Sequence, residues 1–434
     1  MNLTIIMPSL NVAPYIKTCI ESVVNQTMYD IEILCVDAGS TDGTLEILEQ
    51  LKKEDARIKI IHSDKKSYGY QVNLGLDIAS GDYIGIVETD DFIACDMYET
   101  LYALAVEHDL DYAKGAYRSF VSLDDKNVFS WESRGMGNRS EYFDCVIDAC
   151  TIPYIYAMDA CVWSGIYKRD FLNEYNIRFH ESPGAAYQDI GFLQQTIGCA
   201  RRAWYSSRSF YRYRVDREES SVKSPKGLNY SRAEFERIVS DTAIFDKIAN
   251  KNGLYTRMLA SFLWELKKVL PMVAYDMESM YVKDSFRWFM ETLKDRFVDS
   301  ILEADKVEYE SIVRDRKGFL DACRTTSEKT LYSREEILRV VLHHPVIIFG
   351  AGIRGGQALN FLIARHCDVV AFCDNSEEKQ TEQTVRMPVL ALDVCMREFA
   401  DAVYVIANKY HAEDIRAQLM RAGVAESRIA VFES

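Results

Sequence analysis

The N-terminal part of the chain alternates short apolar runs with amphipathic stretches, and this alternation restricts the fold more than any other feature of the sequence. The apolar runs are nearly continuous, which is typical of strands that are buried on both faces. Strands that alternate with helices at this spacing predict a parallel, doubly wound α/β sheet. The predicted strands are 3–7, 31–36, 58–61 and 83–87, and the predicted helices are 15–27, 44–55 and 70–79.

Two further changes of pattern divide the rest of the chain. The stretch 230–335 is charged and has apolar residues at the helical period. Strand and helix patterns then alternate again from 345 onward. The sequence therefore predicts an α/β domain at 1–225, a helical bridging region at 226–340 and a small Rossmann-like α/β domain at 341–434.

The composition excludes several classes of function. Asp and Glu number 66 and Lys and Arg 51, and the resulting net charge of −15 disfavours a general nucleic-acid binder. The longest apolar runs are far shorter than the roughly 18 residues that cross a bilayer, and no basic region precedes an apolar core at the N-terminus. The 11 cysteines form no CxxC pair, which is typical of a reduced protein. We therefore expect a cytoplasmic protein.

Three carboxylates follow the fourth predicted strand. Glu88, Asp90 and Asp91 lie within four residues, at the end of a strand where open α/β sheets bind ligands. They repel each other unless a cation neutralises them, and carboxylate oxygens suit Mg²⁺ or Mn²⁺. The sequence thus predicts a metal site. The alternative is that Asp90 and Asp91 cap a helix that begins near Asp96.

The first two strands also end in polar residues. Pro8, Ser9 and Asn11 follow the first strand, and Asp37 follows the second. Asp37 can accept a hydrogen bond from a nucleobase or a ribose. Its alternative is a turn residue in the loop before a helix at Thr44. Asn11 has the same two interpretations.

Four segments in this order resemble family 2 glycosyltransferases, over about residues 2–222. The family consists of inverting enzymes with the GT-A fold that use nucleotide-diphosphate sugars. The opening TIIMPSLNVAPYIKTCIESVVNQTMYDIEILCVDAGSTDGT resembles theirs, and NLGLDIASGDYIGIVETDD resembles the segment with their DxD-type metal motif. IRFHESPGAAYQDIGF resembles their later acidic motif, and SRSFYRYRVDREESS the Tyr- and Arg-rich segment after it.

The resemblance implies a role for each matching residue. Asp189 matches the catalytic base; from the residues alone, its alternative is an N-cap of the helix that follows. Leu10, Ala38, Val72 and Gln188 depart from the family pattern, and the first two lie at positions where contacts to uracil are frequent. The implied metal ligands are Glu88, Asp90 and Asp91, and the implied nucleotide-binding residues are Pro8, Ser9, Asn11, Asp37, Lys66, Asn73 and Asp90.

Three further residues are candidates for substrate contacts. Arg212 and Arg214 alternate with tyrosines, as strand residues do, and a guanidinium group suits phosphate oxygens. Their alternative is the exposed face of an edge strand. Trp163 is a candidate stacking platform for the acceptor, and its alternative is a partly buried core residue.

The C-terminal region carries a second motif. Gly350, Gly352 and Gly355 fit G-x-G-x-x-G between a strand and a helix, and Asp374 follows about 20 residues later. This arrangement predicts binding of NAD or another nucleotide at a helix N-terminus. The alternative is a structural or assembly role, since the region is small for a complete dinucleotide fold.

The expected activity is metal-dependent transfer of a sugar, with UDP-sugars favoured, to a hydroxyl of a glycan or lipid-linked glycan, as in bacterial surface polysaccharide assembly. The alternative is a non-catalytic nucleotide-sugar-binding or scaffold protein. An oxidoreductase or epimerase ranks last, because no Tyr-x-x-x-Lys pair lies near the Gly-rich turn. The stretch 257–275 is a candidate for peripheral contact with the inner face of the membrane. Its alternative is a core or dimer-facing helix, so a homo-oligomer is also an expectation.

Overall fold

The computed structural model describes most of the chain and divides into two compact units. The first unit comprises Met1–Tyr117, Ser133–Tyr213 and Glu219–Arg316, and the second comprises Arg118–Glu132, Arg214–Glu218 and Lys317–Ser434. The described residues are 1–123, 126–133, 139–217, 224–294, 296, 303–341, 344–381, 387–408 and 410–433.

A mixed sheet begins with the predicted parallel strands. Its members are β1 (Leu3–Ser9), β2 (Ile31–Asp37), β3 (Ile58–His62), β4 (Tyr83–Ile86), β5 (Phe92–Ile93), β6 (Tyr112–Leu123), β7 (Lys126–Ser133), β8 (Val146–Ile147), β9 (Gly165–Lys168) and β10 (Ala203–Arg214). Their order is β3-β2-β1-β4-β9-β6-β10-β5, with β7 on β6 and β8 on β10. The pairs β3–β2, β2–β1 and β1–β4 are parallel, whereas β9 pairs antiparallel with both β4 and β6.

Helices connect these strands as the sequence pattern predicts. They are α1 (Ala13–Val24), α2 (Thr44–Glu54), α3 (Tyr68–Ile78), α4 (Met97–Glu107), α5 (Pro153–Met158), α6 (Arg169–Glu174) and α7 (Gln188–Cys199). All seven residues of β1 and all seven of β2 are buried. Central strands with helices on both faces need apolar side chains at every position, which explains the nearly continuous apolar runs.

A buried ion pair lies within the first unit. Lys114 Nζ on β6 is 2.6 Å from Asp159 Oδ1 and 2.5 Å from Asp159 Oδ2, and both side chains are almost wholly buried. Tyr205 Oη on β10 donates a 2.8 Å hydrogen bond to Asp159 Oδ2. The pair therefore links the antiparallel half of the sheet to the segment before β9.

The middle of the chain is helical, as the charged periodic pattern predicts. The helices are α8 (Gly227–Ser240), α9 (Thr242–Phe245), α10 (Lys251–Met272), α11 (Lys283–Leu293), α12 (Glu303–Arg314) and α13 (Arg316–Val341). Helix α10 covers most of the stretch considered for membrane contact, and it packs against α5, α8 and α11 with most of its apolar residues buried, although Trp264 and Met272 are exposed. This corresponds to the core interpretation of that stretch. Within the described ranges, no helix is both long and apolar enough to cross a bilayer.

The second unit has its own parallel sheet. Its elements are β11 (Val346–Phe349), α14 (Ile353–Ile363), β12 (Val369–Cys373), α15 (Glu377–Thr381), β13 (Val389–Leu390), α16 (Leu392–Glu398), β14 (Val403–Ile406), α17 (Ala412–Arg421) and β15 (Ile429–Val431). The strand order is β13-β12-β11-β14-β15, and every pair is parallel. Apolar clusters cover both faces, which confirms the predicted second α/β fold.

Candidate active site

The carboxyl ends of β1, β2 and β4 meet at one edge of the first sheet, because these strands are parallel neighbours. Open α/β sheets bind ligands at such an edge. The residues there come from three loops that the sequence analysis singled out. We call this edge the acidic corner, and it consists of residues 8–11, 37–44 and 88–91.

The loops after β1 and β2 are tied together at the acidic corner. Asn11 has a left-handed backbone, with φ of 54°, and its Oδ1 accepts a 2.9 Å hydrogen bond from the Thr41 amide. The Asn11 amide donates at 2.9 Å to Ser40 Oγ, and the Ala13 amide donates at 2.9 Å to Asp42 Oδ2. Asn11 therefore shapes this edge through both its backbone and its side chain.

Asp37 is buried and forms the turn after β2. Its Oδ1 accepts hydrogen bonds of 2.9 Å from the amides of Gly39 and Ser40, and its Oδ2 accepts from Ser40 Oγ at 2.5 Å and from Ser9 Oγ at 3.2 Å. These bonds correspond to the turn interpretation of Asp37. The neighbouring Pro8 carbonyl accepts a 3.0 Å bond from Thr89 Oγ1, which links β1 to the acidic segment. Contacts of Pro8, Ser9 and Asp37 with a nucleotide stay predictions.

Asn73 and Lys66 connect to a different part of the first unit. Asn73 is buried in α3, donates to the Phe179 carbonyl at 3.0 Å and accepts from the Phe179 amide at 3.0 Å. Lys66 is exposed, and its carbonyl accepts a 2.8 Å bond from the Gly184 amide. Both residues thus hold the segment 179–184, which leads to Asp189.

The acidic segment after β4 is a tight turn. Glu88 Oε1 accepts a 2.6 Å hydrogen bond from Tyr68 Oη, and the Asp91 amide donates to the Glu88 carbonyl at 3.1 Å. Asp91 is buried, whereas Glu88 and Asp90 are half-buried. Helix α4 begins only at Met97, so Asp90 and Asp91 do not cap it, and the capping alternative is wrong.

The carboxylates of the acidic segment are not grouped as three around one metal position in the part of the chain that the structure describes. Among the residues that the structure describes, no three Asp, Glu, His or Cys side chains are grouped to hold a metal ion. Joint ligation by Glu88, Asp90 and Asp91 stays a prediction, and Glu88 already accepts the hydrogen bond from Tyr68. Mg²⁺ and Mn²⁺ need only one or two protein carboxylates when diphosphate oxygens and water complete the shell. Adjacent Asp90 and Asp91 suit that smaller set.

An aromatic cluster packs beside the acidic segment. Trp163 stacks on Tyr211 at a ring-centroid distance of 4.2 Å and on Tyr213 at 5.1 Å, and Tyr117 meets it edge-on at 4.9 Å. Trp163 is buried, which corresponds to its core interpretation. Burial raises the pKa of Tyr211, and the charges of Asp91 and then Glu88 raise it further. Tyr211 Oη also accepts a 3.0 Å hydrogen bond from the Glu88 amide, so the cluster lies directly beside the acidic segment.

The arginines of β10 lie on the other face of the strand from these tyrosines, since side chains alternate along a strand. Arg212 donates to Ser209 Oγ at 3.1 Å and to the Tyr211 carbonyl at 3.0 Å. Arg214 donates to Ser122 Oγ at 2.8 Å and lies over the Phe120 ring. The phosphate role of both arginines stays a prediction.

Asp189 lies in the first turn of α7. The helix begins at Gln188 and is preceded by Tyr187 in a left-handed conformation, so Asp189 is not the N-cap. Its Oδ1 accepts a 2.9 Å hydrogen bond from the Ile190 amide. Burial raises the pKa of Asp189 to about 6, although the Ile190 bond and the charge of Arg257 lower it and Glu234 raises it. A carboxylate with such a pKa can accept a proton near neutral pH.

Sequence reasoning missed the residues that surround Asp189. Burial raises the pKa of Tyr68, and the charges of Glu88 and Asp189 add to this effect, so Tyr68 is close enough to both carboxylates to interact with each. Arg257, whose guanidinium donates to the Ala157 carbonyl at 2.6 Å, comes from α10, far away in the sequence. The only signal for Arg257 is a charged residue within an apolar helix, and that pattern equally suits membrane contact.

A cleft opens at the carboxyl edge of the second sheet. It has a volume of about 490 Å³ and is lined by Gly350, Asp374, Asn375, Asn408 and His411 among others. These residues follow β11, β12 and β14. After β11 the chain first forms β12 and β13 on one side of β11, and it later forms β14 and β15 on the other side. Such a switch point is where open α/β sheets bind ligands.

The Gly-rich turn at this cleft is tightly built. Gly350 has a φ of 109°, and a Cβ at Gly355 would collide with the Gly350 carbonyl oxygen. Asp374 Oδ2 accepts a 2.7 Å hydrogen bond from the Ala351 amide and lies 3.3 Å from Lys379 Nζ. A Cβ at Gly352 would enter open space, with Lys379 Nζ the nearest atom at 4.0 Å. Asp374 thus stabilises the turn, and nucleotide binding there stays a prediction.

Comparisons with known proteins identify the chain. Residues 4–172 match the family model Glycosyl transferase family 2. The "Uncharacterized glycosyltransferase YibD" of Escherichia coli (strain K12) is 28% identical over 283 residues, which cover 62% of this chain and 78% of that protein. The chain is a glycosyltransferase, and its residues 4–172 form a glycosyl transferase family 2 domain.

This glycosyltransferase is similar to further proteins. "Glycosyltransferase GlyA" of Streptococcus pneumoniae serotype 4 is 27% identical over 355 residues, covering 79% of this chain but only 48% of that protein. The crystal structure of S. aureus TarS 1-349 in complex with UDP-GlcNAc matches with a TM-score of 0.56 at 18% identity, covering 76% of this chain and 92% of that chain. That likeness confirms the GT-A fold. Residues 342–430 of the glycosyltransferase match the family model "C2185-like, N-terminal".

Proposed function

We propose that this glycosyltransferase is a metal-dependent, inverting enzyme. It moves a sugar from a nucleotide-diphosphate donor, with UDP-sugars favoured, to a hydroxyl of a glycan or lipid-linked glycan in bacterial surface polysaccharide assembly. One observation carries the proposal: the Tyr68 phenol donates to Glu88 at 2.6 Å and also feels the charge of Asp189. The acidic corner and a second carboxylate with a raised pKa therefore both act on one side chain.

Asp91 and Asp90 are the residues that would hold Mn²⁺ or Mg²⁺. Their carboxylate oxygens are the hard ligands that these ions prefer. Burial raises the pKa of Tyr213, and the charges of Asp91, Glu88 and then Asp90 raise it further. When bound, the ion offsets the negative charge of the departing diphosphate.

Asp189 is the proposed base. Its second carboxylate oxygen, Oδ2, takes the proton of the acceptor hydroxyl while the acceptor oxygen bonds to the anomeric carbon. The bond from the anomeric carbon to the diphosphate oxygen breaks in the same displacement, and the nucleoside diphosphate leaves with the electron pair. A single displacement inverts the anomeric configuration, because no enzyme nucleophile takes part.

We further propose that the cleft of the second unit binds a nucleotide. Its position at the switch point between β11 and β14, and the amides at the start of α14, favour a ligand with a phosphate group. This site is separate from the transfer reaction, so either proposal can fail alone.

A donor screen tests the main proposal. The full chain is incubated with a panel of nucleotide sugars, with and without Mn²⁺, and donor binding is followed by the shift of the melting temperature. Nucleoside diphosphate release is then measured with glycan acceptors. A donor that binds only with Mn²⁺ and is consumed by the unmodified chain but not by Asp189→Asn supports the proposal. Binding without any consumption would favour the non-catalytic alternative.

A further inference from the structure

Helix α10 carries a polar stripe along a helix that is otherwise largely apolar. Arg257, Ser261, Glu265 and Lys268 are spaced by three or four residues and so lie on one side of the helix. Glu265 is buried and Lys268 is largely so. Charged groups are rarely buried unless they are paired, so the stripe needs partners from other elements.

The partner is Tyr187, which precedes α7. Tyr187 Oη donates a 2.6 Å hydrogen bond to Glu265 Oε1 and accepts a 2.7 Å bond from Lys268 Nζ. Lys268 Nζ also lies 2.5 Å from Glu265 Oε2. Each member of this set contacts the other two. We call Tyr187, Glu265 and Lys268 the α10 triad.

Tyr187 has a backbone that L-residues avoid. Its φ is 67°, in the left-handed region, where a Cβ crowds the following carbonyl. Residues keep such conformations only when surrounding contacts hold them. The α10 triad supplies these contacts, because it fixes the far end of the Tyr187 side chain.

The triad is also confined by α8. A Cβ at Gly227, the first residue of α8, would collide with Glu265 Oε2 and lie 2.8 Å from Lys268 Nζ. The Tyr187 and Tyr230 rings lie 6.0 Å apart. The packing leaves the Tyr187 side chain little room to move. Contacts from both α8 and α10 therefore hold the turn before α7.

We propose that the α10 triad is a positioning device for Asp189: Glu265 and Lys268 hold Tyr187 in its left-handed turn, and the turn orients the first turn of α7, in which Asp189 lies two residues later. This inference rests on the proposed function, in which Asp189 takes the acceptor proton. Within the described residues, the triad has no hydrogen bond to the acidic corner. Loss of the triad should therefore lower the rate of transfer without weakening donor binding.

The test compares neighbouring lysines on α10. Lys268→Met removes the triad cation, whereas Lys267→Met removes a lysine that points away and pairs with Glu308 at 2.8 Å. We expect kcat to fall about tenfold in Lys268→Met and Tyr187→Phe, with the donor KM within about twofold of the unmodified chain. Lys267→Met should keep the unmodified kcat. Glu265→Gln, which still accepts the Tyr187 hydroxyl, should retain more of kcat than Glu265→Ala.

The outcomes separate this inference from the proposed function. Unchanged kcat in Lys268→Met and Tyr187→Phe, while Asp189→Asn is inactive, would overturn the positioning role and leave the base in place. Full transfer by Asp189→Asn would overturn the proposed function itself. A parallel loss of kcat and melting temperature in Lys268→Met and Lys267→Met alike would indicate a general effect on folding and would also overturn the positioning role. If Glu265→Ala fails to fold, the kcat values of Lys268→Met and Tyr187→Phe decide whether the triad positions Asp189.

Discussion

Tyr68 Oη donates a 2.6 Å hydrogen bond to Glu88 Oε1, which joins the start of α3 to the acidic segment after β4. Ser67, directly before Tyr68, caps α3 by accepting from the Tyr70 amide at 3.3 Å. Tyr68 is thus held both through its backbone, at the capped start of α3, and through its hydroxyl. Burial raises the pKa of this hydroxyl, and the charges of Glu88 and Asp189 raise it further.

Removing this hydroxyl should destabilise the protein. In Tyr68→Phe the Glu88 carboxylate loses a donor in a protected site, and hydrogen bonds to charged groups contribute about 1.5–3 kcal/mol. We expect the free energy of unfolding in urea to fall by an amount near the lower end of that range. Tyr29→Phe is the control, since Tyr29 is 78% exposed. Equal stability of the two variants would contradict the role of the Tyr68 hydroxyl.

Asp91→Asn should abolish the metal dependence of donor binding. The amide keeps the shape of the side chain but removes the negative charge that a divalent ion needs. In titration calorimetry with Mn²⁺, donor affinity should weaken by about tenfold or more, which corresponds to about 1.4 kcal/mol. Asp96→Asn, at an acid that pairs with Arg208 at 2.5 Å, should bind like the unmodified chain. Normal Mn²⁺-dependent affinity in Asp91→Asn would remove Asp91 from the proposed site.

Asp189→Asn should lower kcat by about 10²-fold or more, the range for loss of a general base. The pKa of Asp189 is raised to about 6, and only the deprotonated carboxylate accepts a proton. In the unmodified chain kcat should therefore rise with pH through about 6 and level off above it. The groups that act on Asp189 are Arg257 and Glu234, besides the Ile190 amide. A flat profile across this range would speak against Asp189 as the base.

The same shift predicts an effect on stability. Because the pKa of Asp189 is higher in the folded chain than its ordinary value of 3.8, the folded state holds the proton more tightly than the unfolded chain. The ionised carboxylate therefore destabilises the fold above about pH 6, and this cost disappears below about pH 4. Asp189→Asn should then raise the melting temperature near pH 8 more than near pH 4. Equal shifts at both pH values would show that the carboxyl is not buried as described.

The second cleft can be tested while the acidic corner is disabled. Asp91→Asn in the full chain leaves the second unit unchanged, and the part of the remaining NAD or nucleotide-sugar binding that a cleft substitution removes reports on the cleft. Adding Gly352→Val should remove that binding, because the new side chain fills open space beside Lys379 without meeting the backbone. The unmodified cleft failing to bind any nucleotide in calorimetry would establish the structural alternative.

Removing one partner of the buried Lys114–Asp159 ion pair should destabilise the protein more than replacing both partners. Lys114→Met leaves Asp159 charged and buried, with Tyr205 as a neutral donor, and should lower the free energy of unfolding by about 3–5 kcal/mol. The double variant Lys114→Met/Asp159→Leu should regain most of this loss, since it buries no unpaired charge. Urea unfolding followed by fluorescence measures both. Equal stabilities of the single and the double variant would contradict this explanation.

The regular part of the fold follows directly from the sequence pattern. The pattern predicts α2 at 44–55 and β2 at 31–36, and the structure has them at Thr44–Glu54 and Ile31–Asp37. Local periodicity and buried strands determine these elements, and neither depends on distant residues. The same holds for the Gly-rich turn after β11, where a Gly with a φ of 109° is required.

The site is only partly predictable from the sequence, because its remaining contacts join distant segments. The sequence places Asp37 and Asn11 at the correct edge but leaves open whether they serve a ligand or the loops, and their bonds to Ser40 and Thr41 appear only in three dimensions. Glu265 and Tyr187 lie far apart in the chain and share no motif. Pairings of this kind depend on how α10 docks against α7 and α8, which no local pattern encodes.

The bonds that join Asn11 to Ser40 and Thr41, and Ala13 to Asp42, have a thermodynamic consequence for recognition. These loops lose their conformational freedom when the chain folds, so a ligand binds to loops that already have their final conformation. Association then avoids the entropy loss of ordering them a second time. A substitution such as Asn11→Ala should accordingly weaken affinity through increased disorder of the free protein, even if Asn11 itself touches no ligand atom.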